Sequence, residues 1–167
     1  MINGLMVFEN KVFSEERGAI YTFWDNGLLP IRFVQDKVSI SHKDVLRGFH
    51  SCGQSFKLVC CLSGKIEFVV VDGDSESSTF GHHEKFTLSG DGYEGKNLSI
   101  LCSPRLFNAH LILSESAVFC YKWTKKYNGP TSQRALKWDS IGVDWACKNP
   151  ILSDRDKNAL RLEDVAF

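Results

Sequence analysis

Several features that place a protein in a function class at once are missing from this sequence. Lysine plus arginine and aspartate plus glutamate each number 20, so the formal net charge is zero and no overall field recruits nucleic acid or an anionic membrane. No apolar run approaches the length of a membrane span, and acidic residues follow the start too closely for a secretory signal peptide. We therefore expect a cytoplasmic protein that binds neither nucleic acid nor a membrane.

The local motifs of common enzyme classes are missing too. No glycine-rich phosphate loop and no nucleophile elbow occurs in the sequence. The six cysteines form no CxxC pair, and a disulfide framework is unusual in a cytoplasmic chain of 167 residues. We therefore expect reduced thiols that fill small apolar spaces.

The histidines carry only a weak metal signal. His50, His110 and the pair His82-His83 could supply ligands from separate strands, as in several jelly-roll enzymes. The usual local pattern, two histidines separated by one residue with a glutamate soon after, is absent around His50. Metal binding is therefore the weaker interpretation of these residues.

Short runs of β-branched and aromatic residues dominate the chain, and turn residues such as Ser63-Gly64 and Gly90-Asp91-Gly92 separate them. Only the tail from Ser153 to Phe167 has a helical pattern, with Ser153 as its cap. The count of strands predicts an all-β fold, a double-sheet jelly roll of the cupin type in one domain over residues 1–167. The predicted strands are Ala19–Trp24, Ile31–Val34, Lys57–Leu62, Lys65–Asp72, Lys85–Leu88, Leu98–Cys102, Leu111–Leu113 and Ala117–Trp123.

Charged residues are concentrated in the segment 34–57, whose flanks have a strand pattern. Charge on a strand is costly unless it is paired, solvated or used, so Arg47, His50 and Lys57 indicate a site. Strict alternation puts Arg47 and His50 on opposite faces, and a bulge at Gly48 would bring them together. Nearby cations favour a neutral His50 ring that can accept a proton. The best candidates for binding a phosphorylated substrate are Arg17, Arg47 and Lys57.

Two further groups have both a structural and a catalytic interpretation. Tyr121 and Tyr127 are six residues apart and would share a face if their strand continued; such a pair is either packing or a proton donor opposite His50. Asp154 and Asp156 are either charges in the first turn of a helix or include a carboxylate that orients His50. The residues alone leave both alternatives open.

A family resemblance joins these residues. VQDKVSISHKDVLRGFH, KLV, GK, VVVDGDSESSTFG, SPRLFNAH, YKWTKKY and NPILSDRD follow one another as in the dTDP-4-dehydrorhamnose 3,5-epimerase family, from about Arg17 to Asp156. The resemblance implies a cupin-type jelly roll, a homodimer, and no metal or organic cofactor. It also implies inversion of carbons beside the C4 ketone of a nucleotide-linked 4-keto-6-deoxy sugar, as in the synthesis of surface polysaccharides.

The same resemblance assigns roles to individual residues. His50 is the implied base, Asp156 its orienting partner, Tyr121 the opposing acid and Lys57 the stabiliser of the enolate. The implied substrate contacts are Arg17, Arg47, His110, Gln35, Ser41 and Tyr127.

Departures from the family pattern fall among the nucleotide contacts. The RGxFxE segment of the family reads RGAIYT here, from Arg17 to Thr22, and Lys37 and Cys52 replace the usual Asn and Gln. The nucleotide is therefore either dTDP or GDP, the latter in the branch that acts on GDP-linked 6-deoxy-4-keto-heptoses. Two other interpretations are a sugar-nucleotide 3,4-ketoisomerase and a non-catalytic sugar-nucleotide-binding cupin.

Overall fold

Two five-stranded antiparallel sheets form the body of the protein in a computed structural model, which describes residues 1–90 and 97–167. One sheet has the strand order β1-β9-β6-β11-β4 and the other β12-β5-β10-β7-β8, while β2 and β3 form a separate hairpin. The strands are β1 Leu5–Glu9, β2 Val12–Glu15, β3 Gly18–Tyr21, β4 Gln35–His42, β5 Leu46–Ser51, β6 Lys57–Ser63, β7 Lys65–Asp72, β8 His83–Ser89, β9 Leu98–Cys102, β10 Leu106–Ile112, β11 Ser116–Trp123 and β12 Arg134–Ala135.

The two sheets pack face to face, which confirms the predicted all-β jelly roll. Inward side chains such as Ile66 and Phe68 of β7 and Phe119 of β11 share one apolar cluster and are almost fully buried. A second cluster forms where Phe49 of β5 meets Trp145 and the C-terminal tail. Burial of these large side chains supplies the main free energy of folding.

The predicted strands have mixed outcomes. Lys65–Asp72 and Leu98–Cys102 agree with β7 and β9, and Lys57–Leu62 and Ala117–Trp123 agree to within one residue. The predicted strand Ile31–Val34 is wrong, because the chain there is irregular and β4 begins at Gln35. The predicted Leu111–Leu113 covers only the end of β10, and β5 was not among the predicted strands. Within the predicted turn at Gly90, Asp91 and Gly92 lie outside the described residues.

The tail forms two single helical turns in place of one helix. Helix α1 spans Asp154–Lys157, and its cap is Ser153, whose side chain accepts a hydrogen bond from the Asp156 N–H, as predicted. Helix α2 spans Leu162–Val165. Between them Leu160 forms a parallel bridge with Leu136, and its carbonyl accepts a hydrogen bond from the Lys137 N–H, so the backbone there is extended.

The hairpin β2–β3 and the edge strand β4 carry apolar side chains on the surface. Phe13 and Ile20 of the hairpin are 56% and 72% exposed, and Val38 and Ile40 of β4 are 57% and 70% exposed. The inward face of β4 is polar, with Gln35, Lys37, Ser39 and Ser41. No helix in the described ranges is long and apolar enough to cross a membrane.

Candidate active site

A cavity of about 490 Å³ opens between the two sheets. This volume lies within the range typical of small-molecule sites. Strands β4, β6 and β11 line it from one sheet, β5 and β10 line it from the other, and residues near α1 close one side. Seven of the ten residues predicted from the sequence lie in its wall: Arg47, His50, Lys57, His110, Tyr121, Tyr127 and Asp156.

His50 and Asp156 form a hydrogen-bonded pair in this wall. The distance from His50 Nε2 to Asp156 Oδ1 is 2.7 Å, and the carboxylate is almost fully buried. An ionised carboxylate only accepts hydrogen bonds, so Nε2 carries the proton and Nδ1 is the nitrogen that can accept one. Both features considered for Asp154 and Asp156 meet in one residue: Asp156 lies in the first turn of α1, and its carboxylate makes a hydrogen bond with His50.

The pKa values of this pair favour a neutral ring beside an ionised carboxylate. Burial is the largest cause that lowers the pKa of His50, with smaller contributions from Lys57 and Arg155, while Asp156 opposes the shift. Burial alone would raise the pKa of Asp156, but its hydrogen bonds with His50, Gly48 and Ser153 lower it below its usual value. The predicted direction for His50 is confirmed, although burial contributes more than the neighbouring cations.

A bulge at Gly48 brings Arg47 and His50 to the same cavity. Arg47 pairs with His110 and His50 with Asn108, so β5 has one more residue between these pairs than β10. Gly48 has φ +117°, and a Cβ on it would lie 2.5 Å from the Asn108 carbonyl oxygen. Only glycine fits this backbone and this close approach, which confirms the predicted role of Gly48.

Lys57 supplies a buried cation next to the base. Its Nζ donates a hydrogen bond to the His50 carbonyl oxygen at 3.1 Å and lies 4.7 Å from the centroid of the Trp123 ring. Burial lowers the pKa of Lys57 to about 8. The ammonium is therefore mostly charged at neutral pH and can stabilise negative charge that develops in the cavity.

Tyr121 lies on the opposite sheet, between two aromatic neighbours. Its ring centroid is 5.5 Å from that of Phe119 and 6.0 Å from that of Trp123. Burial raises the pKa of Tyr121, and Arg47 partly opposes this. Tyr127 also lines the cavity, but β11 ends at Trp123, so the second tyrosine comes from the following loop and not from a continuing strand.

His110 and Arg47 complete the polar wall. The His110 ring stacks on Phe119 with centroids 4.1 Å apart, and its Nε2 has no hydrogen-bond partner among residues 1–90 and 97–167. Burial, and then Arg47 and His50, lower the pKa of His110 to about 3, so the ring is neutral. Arg47 Nε donates to Ser41 Oγ at 2.9 Å.

Three predicted contacts lie outside the cavity wall. Ser41 is buried behind Arg47 and accepts its hydrogen bond, and the Oε1 atom of Gln35 accepts a hydrogen bond from the Tyr127 N–H at 2.9 Å. Both therefore support residues that line the cavity. Arg17 is in the hairpin β2–β3, where its side chain is 85% exposed and is ion-paired with Glu15.

Several lining residues were missed from the sequence. Phe119 and Trp123 are two positions on either side of Tyr121, so strand alternation was a usable signal for both. Lys37 was noted only as a departure from the family pattern, and Arg155, which lies between Asp154 and Asp156, was not singled out. Asn108 had no signal, because its place in the wall depends on pairing between β5 and β10.

The ligand-type side chains of the described ranges are dispersed. Across residues 1–90 and 97–167, no group of three or more histidine, cysteine, aspartate or glutamate side chains is placed to hold a metal ion. All six cysteines are free thiols, and four of them are buried: Cys60, Cys61, Cys102 and Cys120.

Comparison with known proteins gives one consistent family. The family model described as dTDP-4-dehydrorhamnose 3,5-epimerase matches residues 1–164. The chain is 33% identical to the dTDP-4-dehydrorhamnose 3,5-epimerase of Shigella flexneri, over 99% of this chain and 95% of that protein.

Solved structures agree with this relationship. A Legionella pneumophila 3,5-epimerase, in complex with dTDP-4-keto-L-rhamnose, has a TM-score of 0.87 and 33% identity, with 97% of this chain and 89% of that chain covered. A 3'-monoepimerase of Streptomyces bikiniensis, in complex with dTDP-quinovose, has a TM-score of 0.88 and 26% identity, with 97% and 85% covered. The predicted family and the predicted enzyme class, an isomerase of the epimerase type, are confirmed, and the chain belongs to the dTDP-4-dehydrorhamnose 3,5-epimerase family.

Proposed function

We propose that this protein inverts C3, C5 or both in a 4-keto-6-deoxy sugar linked to a nucleoside diphosphate, with no cofactor. The observation that carries the proposal is the placement of the His50–Asp156 pair and Tyr121 on opposite sheets around one cavity. Inversion requires a base on one face of the carbon and an acid on the other, because return of a proton to the same face restores the starting sugar. The two walls of this cavity provide both groups.

The first half of the reaction uses His50 and Lys57. Neutral His50 removes the proton from the carbon beside the C4 ketone, and the electron pair of the C–H bond moves to the ketone oxygen to give an enolate. Asp156 stabilises the imidazolium that forms. The ammonium of Lys57, held next to His50, stabilises the enolate oxygen.

The second half uses Tyr121. Its phenol donates a proton to the opposite face of the carbon, the C4 ketone re-forms, and the carbon is inverted. The raised pKa of Tyr121 keeps the phenol protonated at neutral pH, ready for donation. The tyrosinate and the imidazolium then exchange protons with solvent, which restores both groups.

The relatives support a nucleotide sugar as substrate, and the Legionella pneumophila and Streptomyces bikiniensis enzymes were solved with dTDP-sugars. The substitutions at Lys37 and Cys52 and the RGAIYT segment leave GDP as the alternative in our proposal. Arg47, His110 and Tyr127 are proposed as direct contacts, and Gln35 and Ser41 as supports for them. The product would serve surface polysaccharide synthesis, and the cytoplasmic location and the single domain over residues 1–167 stay predictions.

A homodimer is part of the proposal. Apolar side chains of the hairpin β2–β3 and of β4 are exposed in one chain, and a second copy would bury them. Arg17, predicted to contact substrate, lies apart from the cavity wall of its own chain, so such a contact would require the assembly. Ile40→Asp should shift the protein to monomers in sedimentation velocity, and an unchanged monomeric species in both proteins would contradict the dimer.

Proton exchange tests the reaction directly. We expect deuterium from heavy water to enter C3 or C5 of a dTDP- or GDP-linked 4-keto-6-deoxy sugar, with inversion, as followed by NMR and mass spectrometry. Deuterium uptake with migration of the ketone to C3 would favour the ketoisomerase. No uptake with either nucleotide, from protein that is folded, would contradict both enzymes and leave the non-catalytic binding protein.

A further inference from the structure

Lys37 is a cation in the cavity wall without an anionic partner. Its Nζ lies 3.7 Å from the centroid of the Tyr127 ring and 6.0 Å from that of Tyr121. Across residues 1–90 and 97–167 its ammonium makes no hydrogen bond and no ion pair, so two aromatic faces are its charge-stabilising contacts there. A cation held on aromatic rings in this way can transfer to an anion that offers stronger, charge-assisted hydrogen bonds.

The other cations of the cavity wall have acceptors. Lys57 donates to the His50 carbonyl oxygen, Arg47 to Ser41 Oγ, and the Arg155 guanidinium to the Gln133 carbonyl oxygen at 2.8 Å. Lys37 is therefore the cation whose three N–H donors all remain available to a ligand.

The charge balance of the cavity wall points to an anionic ligand. Four cations, Lys37, Arg47, Lys57 and Arg155, face a single acidic side chain, Asp156, among the described residues of the wall. Asp156 is already engaged by His50. Burial lowers the pKa of Lys37, which shows that its surroundings do not compensate for the lost water. A bound anion would supply that compensation.

Lys37 is more exposed than the lysine beside the proposed base. Lys57 is 5% exposed and donates to the His50 carbonyl oxygen, whereas Lys37 is only partly buried and lies on the edge strand β4. Gln35, two residues earlier on the same face, accepts a hydrogen bond from the Tyr127 N–H, so β4 positions both the lysine and the ring on which it rests. With the sugar ring at His50 and Lys57, Lys37 is the more exposed cation that remains for the diphosphate.

We propose that Lys37 is a substrate-binding residue that leaves the Tyr127 ring to bind the diphosphate of the sugar nucleotide. This inference rests on the proposed function for the identity of the ligand. It predicts that recognition of the phosphates, and not of the base or of the reacting carbon, depends on this lysine.

Binding without turnover is the first measurement. We expect Lys37→Met to weaken binding of dTDP, or of GDP if that nucleotide binds the wild type more tightly, by about tenfold to a hundredfold in calorimetry. Affinity for the matching nucleoside, thymidine or guanosine, should not change. Lys37→Arg should retain most of the diphosphate affinity, because it keeps the charge.

Lys11→Met is the matched control. Lys11 also places its Nζ over a ring, 4.8 Å from the Phe13 centroid, but it is outside the cavity wall. Its variant should bind the nucleotide as the wild type does. An equal loss in both variants would overturn the assignment to Lys37, as would unchanged affinity in Lys37→Met.

Kinetics then separate two ways in which Lys37 could act. Lys37→Met should raise KM for the sugar nucleotide by about the same factor by which it weakens binding of dTDP or GDP. It should leave kcat near the wild-type value. A lower kcat with unchanged KM and unchanged nucleotide affinity would overturn the proposal and place Lys37 in the action of Tyr121. Wild-type protein that binds nucleotide but shows no deuterium uptake would contradict the proposed function alone. Wild-type protein that binds neither nucleotide would overturn the inference.

Discussion

The two walls of the cavity hold their reactive groups in different ways. On one side His50 is fixed by a 2.7 Å hydrogen bond to the Asp156 carboxylate, which also accepts a hydrogen bond from the Gly48 N–H. The backbone N–H of Asp156 donates to Ser153 Oγ. On the other side Tyr121 packs between the rings of Phe119 and Trp123.

This difference agrees with the roles proposed for the two groups. A base has to keep one particular nitrogen free of its proton, so it needs a hydrogen-bond partner that fixes the tautomer. A phenol only has to stay protonated and correctly placed until it donates, and burial among rings achieves both. The base wall is the sheet that carries His50, with Asp156, and the acid wall is the sheet that carries Tyr121, together with Lys37 and Lys57. The proposed base is held by connected hydrogen bonds, and the proposed acid is held by aromatic packing. Mutations in the two walls should therefore lower the rates of deuterium exchange and of inversion in distinguishable ways.

Removal of the base should have the largest effect. We expect His50→Ala to lower the rate of deuterium exchange on the order of 10²–10⁴-fold, because no proton then leaves the substrate. Asp156→Asn should lower it less than His50→Ala, because the ring stays in place but loses the carboxylate that selects its tautomer. Exchange rates followed by NMR check both variants, and a His50→Ala rate equal to that of the wild type would contradict the assignment of the base.

Removal of the acid should separate exchange from inversion. In Tyr121→Phe we expect deuterium to enter the substrate still, because His50 remains, while the rate of inversion falls on the order of 10²-fold. Tyr127→Phe is the matched control, since it removes a second phenol from the same cavity. Inversion at the wild-type rate in Tyr121→Phe would show that the acid wall has another donor.

The bulge that presents the base wall can be broken without touching a reactive group. Gly48→Ala should lower the free energy of unfolding by about 1–3 kcal/mol, because its φ of +117° and its close approach to the Asn108 carbonyl exclude a side chain. Gly142→Ala is the control: its φ is +73°, but nothing lies within 4 Å of its added Cβ. Denaturant unfolding measures both, and equal losses would show that the close approach at Gly48 adds nothing.

The pH profile of kcat/KM should have two limbs, one from His50 and one from Lys57. In the proposed mechanism activity requires neutral His50, whose pKa burial lowers, so kcat/KM should rise at a pH below the usual range of a histidine. It also requires charged Lys57, so kcat/KM should fall as the pH passes about 8, the value of its pKa. Burial raises the pKa of Tyr121, so its phenol adds no limb in this range. Lys57→Met should be slower than the wild type, and its kcat/KM should no longer fall near pH 8. If that fall persists, a group other than Lys57 causes it.

Much of the fold could be predicted because its central strands obey simple patterns. β7 has an apolar run from Phe68 to Val71 and is buried on both faces, so its bounds were predicted without error. β4 was not predicted, for the opposite reason. Its inward residues are polar and its outward residues Val38 and Ile40 are apolar, which reverses the pattern that a strand prediction expects.

The site could be predicted where its side chains are of a type that is rarely found on a β-strand. His50 and Lys57 are costly on strands, and that cost drew attention to them. The partnership of His50 with Asp156 joins residues 106 positions apart and depends on where the tail packs, which no local pattern encodes. Arg17, in contrast, has the right chemistry but lies on an exposed hairpin, so its role depends on contacts beyond one chain.

The reversed polarity of β4 bears on how substrate range could diversify. Among the described residues β4 pairs with β11 at the edge of its sheet, and Lys37 is its side chain in the cavity wall. A change at Lys37 therefore costs the rest of the domain little, whereas a change at Gly48 or Asp156 disturbs a connected set of hydrogen bonds. Under the proposed mechanism, substrate range can thus change at an edge strand while the proton-transfer groups stay in place.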